Sequence, residues 1–255
     1  MPTPEQMVAL YVAFDTDPTP IVEFLAWLLP SYGVETSAPR VLDVGCGPGR
    51  LLGPLADRGW RVQGMEPDAG YRGYAAKIAA QHPGASVAGG GFADIGSALT
   101  EAAAYDLIVA VNGSFAYLLT PSQRSEALAR CRAVLRPGGV LFLDLPNMLR
   151  ILFEYAAPNA LERRTEGRRI LLERRHKLDY QRATFTTLEH YVVHEPDGSS
   201  WETRQEHPYA ITTWPELEHA LHDASFDDLR TYTSYAARTI ETLGPGRMLI
   251  AARAS

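Results

Sequence analysis

Between Val41 and Arg50 the sequence VLDVGCGPGR breaks a short apolar run into three glycines, Gly45, Gly47 and Gly49, set two apart. Glycine allows positive φ and carries no side chain, so a strand ending here can turn sharply and bring bare backbone against a ligand. The spacing is tighter than the GxGxxG of dinucleotide sites, and Pro48 stands inside it. Asp43, near the end of the same run, would repel a pyrophosphate at close range and suits a ligand carrying an amino group. Glu66 follows about twenty residues after Gly45, at the tip of a second run from Arg61, where a carboxylate is placed to accept both hydroxyls of a ribose. The implied ligand has an adenosine-like ribose and a cationic amine. A glycine-rich turn with a purely structural role is the alternative.

The elements that must hold these residues alternate between strand and helix. Leu51, Leu52, Leu55 and Ala56 open a helix after the glycines, Asp68 to Ala80 reads as an N-capped helix, and Ala85 to Ala88 as a short third strand. Tyr105 to Val111 is a fully buried fourth strand ending in Asn112-Gly113-Ser114-Phe115-Ala116-Tyr117. Ligands of open parallel sheets lie beyond the carboxyl ends of the strands, so Asn112 and Tyr117 belong to the cleft, with a plain turn as the other reading of Asn112. Thr120-Pro121-Ser122-Gln123 caps a helix that leads to a turn at Arg136-Pro137-Gly138-Gly139 and a fifth strand, Val140 to Leu145. Thr213 to Glu216 gives a capping box, and Leu229 to Thr233 and Met248 to Ala252 supply the last two strands. Before all of these come two helices with their own start signals, Thr3-Pro4 with Gln6 and Thr19-Pro20, the first carrying Met7, Leu10, Tyr11 and Phe14 on one face.

Asp43, Gly45, Cys46, Gly47, Gly49 and Glu66 resemble the first motif and the ribose acid of class I methyltransferases that use S-adenosylmethionine, and LRPGG before an apolar strand resembles the same family. The resemblance spans most of the chain. It implies that the glycine loop wraps the methionine part of S-adenosylmethionine and that Glu66 takes the ribose. Gly90-Gly91-Phe92-Ala93-Asp94 is similar to the family's adenine-binding stretch, but Gly91 stands where an aspartate is usual, so backbone groups of Phe92 and Ala93, or Asp94, take over that contact. In the small-molecule methyltransferases that the sequence resembles, N-terminal helices fold over the cleft and offer it a tyrosine; here that residue is Tyr11, with plain core as its other reading. Asp144-Leu145-Pro146-Asn147 lacks the composition of the amino-group nucleic-acid methylase signature and follows the wrong strand.

Of 255 residues, 46% are apolar, which is ample for a buried core in one or two domains. No apolar run reaches membrane-spanning length and no basic-then-apolar leader opens the sequence, so the expectation is a cytoplasmic protein without membrane contact. Two cysteines make no disulfide framework, and no ligand spacing points to a metal. A net charge of −6 argues against a nucleic-acid partner.

Met148 to Thr213 is too long for a simple crossover. Residues Arg163 to Arg182 hold eight Lys or Arg against three Asp or Glu, which reads either as a charge-guarded edge strand or as capture of an anionic small-molecule acceptor. Pro196-Asp197-Gly198-Ser199 lies between two β-rich stretches, and a two-residue Asp-Gly turn sets His190 opposite Gln205, Leu188 opposite His207 and Thr186 opposite Tyr209. One face then collects His190, Gln205, His207, Tyr209 and Trp201 toward the cleft. His190 is the leading candidate for a general base and His207 the second, with Tyr117, Gln205 and Tyr209 around the acceptor; padding of a sheet interface is the alternative.

The fold expected is α/β: a Rossmann-like, seven-stranded, mostly parallel sheet with helices on both faces and a small antiparallel β insertion. Residues 1–36 cover the cleft, 37–147 and 214–255 bind the cofactor, and 148–213 form the cap. The function expected is methyl transfer from S-adenosylmethionine to a nitrogen or oxygen of a small molecule. A nucleic-acid or protein methyltransferase and a cofactor-binding regulatory module are the rivals.

Overall fold

Strict alternation of inward-facing side chains lets one mostly parallel sheet serve two cores. In the computed structural model, which describes residues 2–96, 104–150 and 159–255, β1 (Arg40–Val44), β2 (Arg61–Glu66), β3 (Ala85–Gly89), β4 (Tyr105–Ala110) and β5 (Leu135–Leu145) join β10 (Phe226–Tyr232) and β11 (Met248–Ala254) in the order β10-β11-β5-β4-β1-β2-β3. Strand β11 runs antiparallel to both β5 and β10. Val41 and Val109 face one way and pack with Phe24, Leu25 and Leu28; Leu42 and Ile108 face the other way and pack with Leu128, Leu217 and Leu221. Each such fully buried side chain contributes about 1.5–3 kcal/mol of apolar burial.

Helices α1 (Pro4–Ala13) and α2 (Thr19–Ser31) precede the sheet, α3 (Leu52–Ala56), α4 (Ala69–Ala79) and α5 (Pro121–Val134) connect its strands, and α6 (Trp214–Asp223) leads into β10. The capping boxes at Thr3 and Thr120 form as read, and Asp68 caps α4. Two start signals resolve differently. Thr19 is already helical, its N–H held by Asp17 at 2.9 Å, and Glu216 leaves Thr213 uncapped because its carboxylate pairs with the buried Arg124. The Arg136-Pro137-Gly138-Gly139 turn is a bulge within β5, which pairs with β4 from Leu135 onward.

The insertion is a four-stranded antiparallel sheet of β6 (Asn159–Thr165), β7 (Arg168–Asp179), β8 (Thr184–His194) and β9 (Ser200–Ala210); its first part, residues 151–158, lies outside the described residues. Ile170, Leu172, Tyr191 and Val193 on one face pack with Leu10 of α1, so the insertion and the N-terminal helix hold each other over the end of the large sheet. Among the described residues no helix is long and apolar enough to cross a membrane.

The β8–β9 register is one residue away from the sequence expectation. His190 pairs with Arg204, Glu189 with Gln205 and Thr187 with His207. The loop has three residues, not two: Gly198 N–H donates to Glu195 C=O at 3.1 Å, and Gly198 takes φ +85°. Pro196 fits the second position of a type I turn, and glycine then accepts the left-handed residue that closes it. The consequence is that His190 lies on the other face, beside Glu202 at 2.9 Å, and Glu189 occupies the cleft side in its place. Slippage by one residue exchanges the faces of a strand.

Candidate active site

Three positive-φ glycines make the turn after β1, and each does something different. A Cβ on Gly45 would come within 2.7 Å of Ser114 Cβ, so this glycine permits contact with the loop after β4. Gly49 closes against Ala75 of α4, where a Cβ would lie 3.2 Å away. Gly47 faces the cleft, and its nearest neighbour is the Tyr11 hydroxyl at 3.7 Å from an added Cβ. Cys46 is buried with its Sγ turned against Gly64, and burial pushes its thiol pKa up, which keeps it protonated.

Both carboxylates singled out in the sequence are buried. Glu66 Oε2 accepts Gly47 N–H at 2.9 Å and Oε1 accepts Asp68 N–H at 2.9 Å, so the acid shapes the loop and keeps lone pairs for hydroxyl donors. Burial raises its pKa against these two bonds. Asp43 is 1% exposed behind the loop, and its Oδ1 has no hydrogen-bond partner. Burial pushes its carboxyl up to about 7, with Arg50 opposing.

A cavity of about 720 Å³ lies at the carboxyl ends of β1 and β4, where the strand order reverses. Tyr11, Gly45, Gly47, Glu66, Gly91, Phe92, Asn112 and Tyr117 line it, and β9 adds Gln205, His207 and Tyr209. Asn112 takes φ +55° and donates from its amide to Tyr11 Oη at 3.3 Å. Arg50 binds Asp15 at 2.7 Å, fastening the loop to the segment after α1. Asp43, Cys46 and Gly49 are buried and Ala93 is exposed, and none of the four lines the cavity. Asp94 turns back to accept Gly91 N–H at 2.8 Å.

The cavity also holds residues that the sequence reading missed: Tyr71 of α4, with its ring 5.4 Å from that of Tyr11, and, on the wall opposite the glycine loop, Arg174, Glu189 and Tyr191. Glu189 Oε1 accepts from Arg174 at 2.7 Å and Oε2 accepts the Tyr191 hydroxyl at 2.6 Å. Burial alone would raise the Glu189 pKa, but bonds from His207, Tyr191 and Arg174 hold it at about 2. A signal was present in Phe185, Thr187, Glu189, Tyr191 and Val193, where a carboxylate shares the parity of an apolar face. On the same wall Tyr117 Oη lies 2.9 Å from His207 Nδ1 and 3.1 Å from Tyr209 Oη.

Residues 41–139 match the family model described as a methyltransferase domain. The fold is similar to that of DesVI from Streptomyces venezuelae, with 19% identity, 99% of this chain and 98% of that one covered, and a TM-score of 0.77. It is also similar to SAM-bound CalS10 from Micromonospora echinaspora, an amino pentose methyltransferase (22%, 97% and 95%, 0.73). The sugar N-methyltransferase KedS8 from a Streptoalloteichus species has a similar fold as well (19%, 96% and 91%, 0.76). No curated protein matches in sequence. Residues 41–139 thus resemble a methyltransferase domain, within a fold that is shared with S-adenosylmethionine-dependent methyltransferases.

The residues of the cleft fit S-adenosylmethionine as the cofactor. An unpaired, buried Asp43 oxygen answers a cationic ligand, Gly47 leaves backbone open to the cleft, and Glu66 retains acceptor sites for a ribose. When bound, S-adenosylmethionine supplies a methyl group made electrophilic by a positively charged sulfur. What remains for the protein is to orient an acceptor, exclude water and take up a proton.

Proposed function

We propose that the enzyme methylates a nitrogen or oxygen of a small molecule, and that an amino group is the preferred acceptor. The observation that carries this reading is the polar wall of Tyr117, His207, Tyr209, Gln205 and Glu189, which shares one cavity of about 720 Å³ with the glycine loop. That size lies within the range of small-molecule sites. The neighbours of similar fold include an amino pentose methyltransferase and a sugar N-methyltransferase, which supports nitrogen over oxygen. The basic run argues against a polymer dock. Arg164, Arg168, Arg169, Arg174 and Arg182 are each paired with a carboxylate of the same insertion, so five of its eight positive charges are spent on the sheet itself.

In this reading Tyr11 and Asn112 close the cofactor side, Tyr117 and Tyr209 bound the acceptor, and His207 stands behind them. The test uses pairs of small acceptors that differ only by amino or hydroxyl at one carbon, incubated with enzyme and S-adenosylmethionine. A product heavier by about 14 Da from the amine is expected. Product only from the hydroxyl partner would overturn the preference for nitrogen.

A further inference from the structure

An ammonium acceptor must lose a proton before its nitrogen can take a methyl group, and the cleft wall shows where that proton can go. We propose that Tyr117, His207 and Glu189 form a proton relay, with Tyr117 as the catalytic residue that touches the acceptor and Glu189 as the residue that positions His207. This rests on the methyl-acceptor reading above.

The direction of the relay follows from the neighbours of the imidazole. His207 Nε2 lies 3.2 Å from Gln205 Oε1 and 3.5 Å from Glu189 Oε2. Both are acceptors, so Nε2 carries the hydrogen in neutral His207 and Nδ1 is left bare. Nδ1 is the atom that meets Tyr117 Oη at 2.9 Å, so Tyr117 donates to it. Tyr209 lies 3.1 Å from the same phenol oxygen and can donate to it. Tyr117 is 45% exposed, which leaves its hydroxyl within reach of a ligand in the cavity.

Glu189 is fixed independently of His207. Arg174 of β7 and the Tyr191 hydroxyl each hold one of its oxygens. His176, also on β7, is occupied by Thr187 Oγ1 at 3.2 Å and by stacking on Phe185. The charged and titratable groups around the relay include Arg174, His176, Tyr191, Tyr209 and, across the cleft, Tyr11 and Tyr71, and Asp15, Glu66 and Asp68 line the same cavity.

The step balances. The acceptor ammonium gives a proton to Tyr117 Oη as the Tyr117 proton passes to His207 Nδ1; the freed nitrogen pair bonds the methyl carbon, and the pair of the broken carbon–sulfur bond stays on sulfur. Tyr117 ends neutral, and the imidazolium faces the Glu189 carboxylate.

Nitrogen-15 spectra of the histidine rings read the tautomer without any acceptor. Wild-type protein should show neutral His207 protonated at Nε2. In Glu189→Gln, Arg174 keeps the amide oxygen and the amide NH₂ is turned toward Nε2, so the Nδ1–H form should take over. With an amine acceptor, Glu189→Gln should lose at least about ten-fold in kcat and Tyr117→Phe about 100-fold, with cofactor affinity unchanged, as removal of an acid–base group does. Tyr117→Phe sits at a partly exposed position and keeps the test decisive if Glu189→Gln does not fold. Wild-type His207 protonated at Nδ1, or Tyr117→Phe turning over at the wild-type rate, would overturn the relay. Absence of product from every amine would instead overturn the acceptor reading, and the spectra would still decide the tautomer.

Discussion

Asp43 and Glu66 are both buried carboxylates near one glycine loop, and their environments give them different work. Glu66 takes two backbone N–H groups, whereas Asp43 keeps an unpaired oxygen. Burial pushes the Asp43 carboxyl up to about 7, above its value of about 3.9 in an unfolded chain. The folded protein thus holds a proton that the unfolded chain releases, so stability from this group is fullest below about pH 4 and falls as pH rises toward 7. Binding of a cationic cofactor favours the ionised form. Calorimetric affinity for S-adenosylmethionine should therefore fall as pH is lowered from about 8 to about 6, and Asp43→Asn should be weaker at pH 8 and flat with pH. A wild-type affinity constant over that range would contradict the role. Glu66→Ala should weaken cofactor binding at least about ten-fold at constant pH, since charge-assisted bonds contribute about 1.5–3 kcal/mol each. Unchanged affinity would remove Glu66 from the ribose contact. The placement of these two acids beside the loop was legible because it depends on position along a strand. Glu189 was not, because its role depends on which face of a hairpin it occupies.

At the scale of elements, the strand–loop–helix unit separates packing from binding. Gly45 and Gly47 share positive φ, but only at Gly45 would a Cβ collide with another side chain, Ser114 at 2.7 Å. Gly45→Ala should lower the melting temperature, while Gly47→Val should leave the sheet folded and abolish cofactor binding, because a branched side chain would occupy the open backbone face. Thermal melts and titrations of both variants check this, and normal binding by Gly47→Val would reduce the loop to a turn. The seven-stranded sheet could be read in advance because fully buried parallel strands such as Tyr105–Ala110 are nearly continuous apolar runs, broken here at Asp106. The hairpin could be placed but not registered. Pro-Asp-Gly admits a two-residue and a three-residue loop, and Pro196 at the second position of a type I turn chose the longer one. One residue of loop moved His190 out of the cleft and left His207, Gln205 and Tyr209 inside it.

Across the whole molecule, two sheets meet over one cleft. The large sheet brings the glycine loop, Glu66 and Asn112 to the point where strand order reverses, and the insertion, braced on α1, brings a polar face to the other side. The charge of the insertion is balanced within it by pairs such as Arg168 with Glu195 and Arg174 with Glu189, so its basic composition describes how the sheet holds together. The pairing was not visible in a count of charges, because it depends on which residues face each other across strands. The most direct test of a small-molecule acceptor is the fate of a radiolabelled methyl group when enzyme and labelled S-adenosylmethionine are given, side by side, a pool of small amines, bulk RNA and bulk protein. The label should appear in the small amines, with transfer insensitive to moderate salt. Label recovered only in RNA or protein, and lost as salt is raised, would contradict the account.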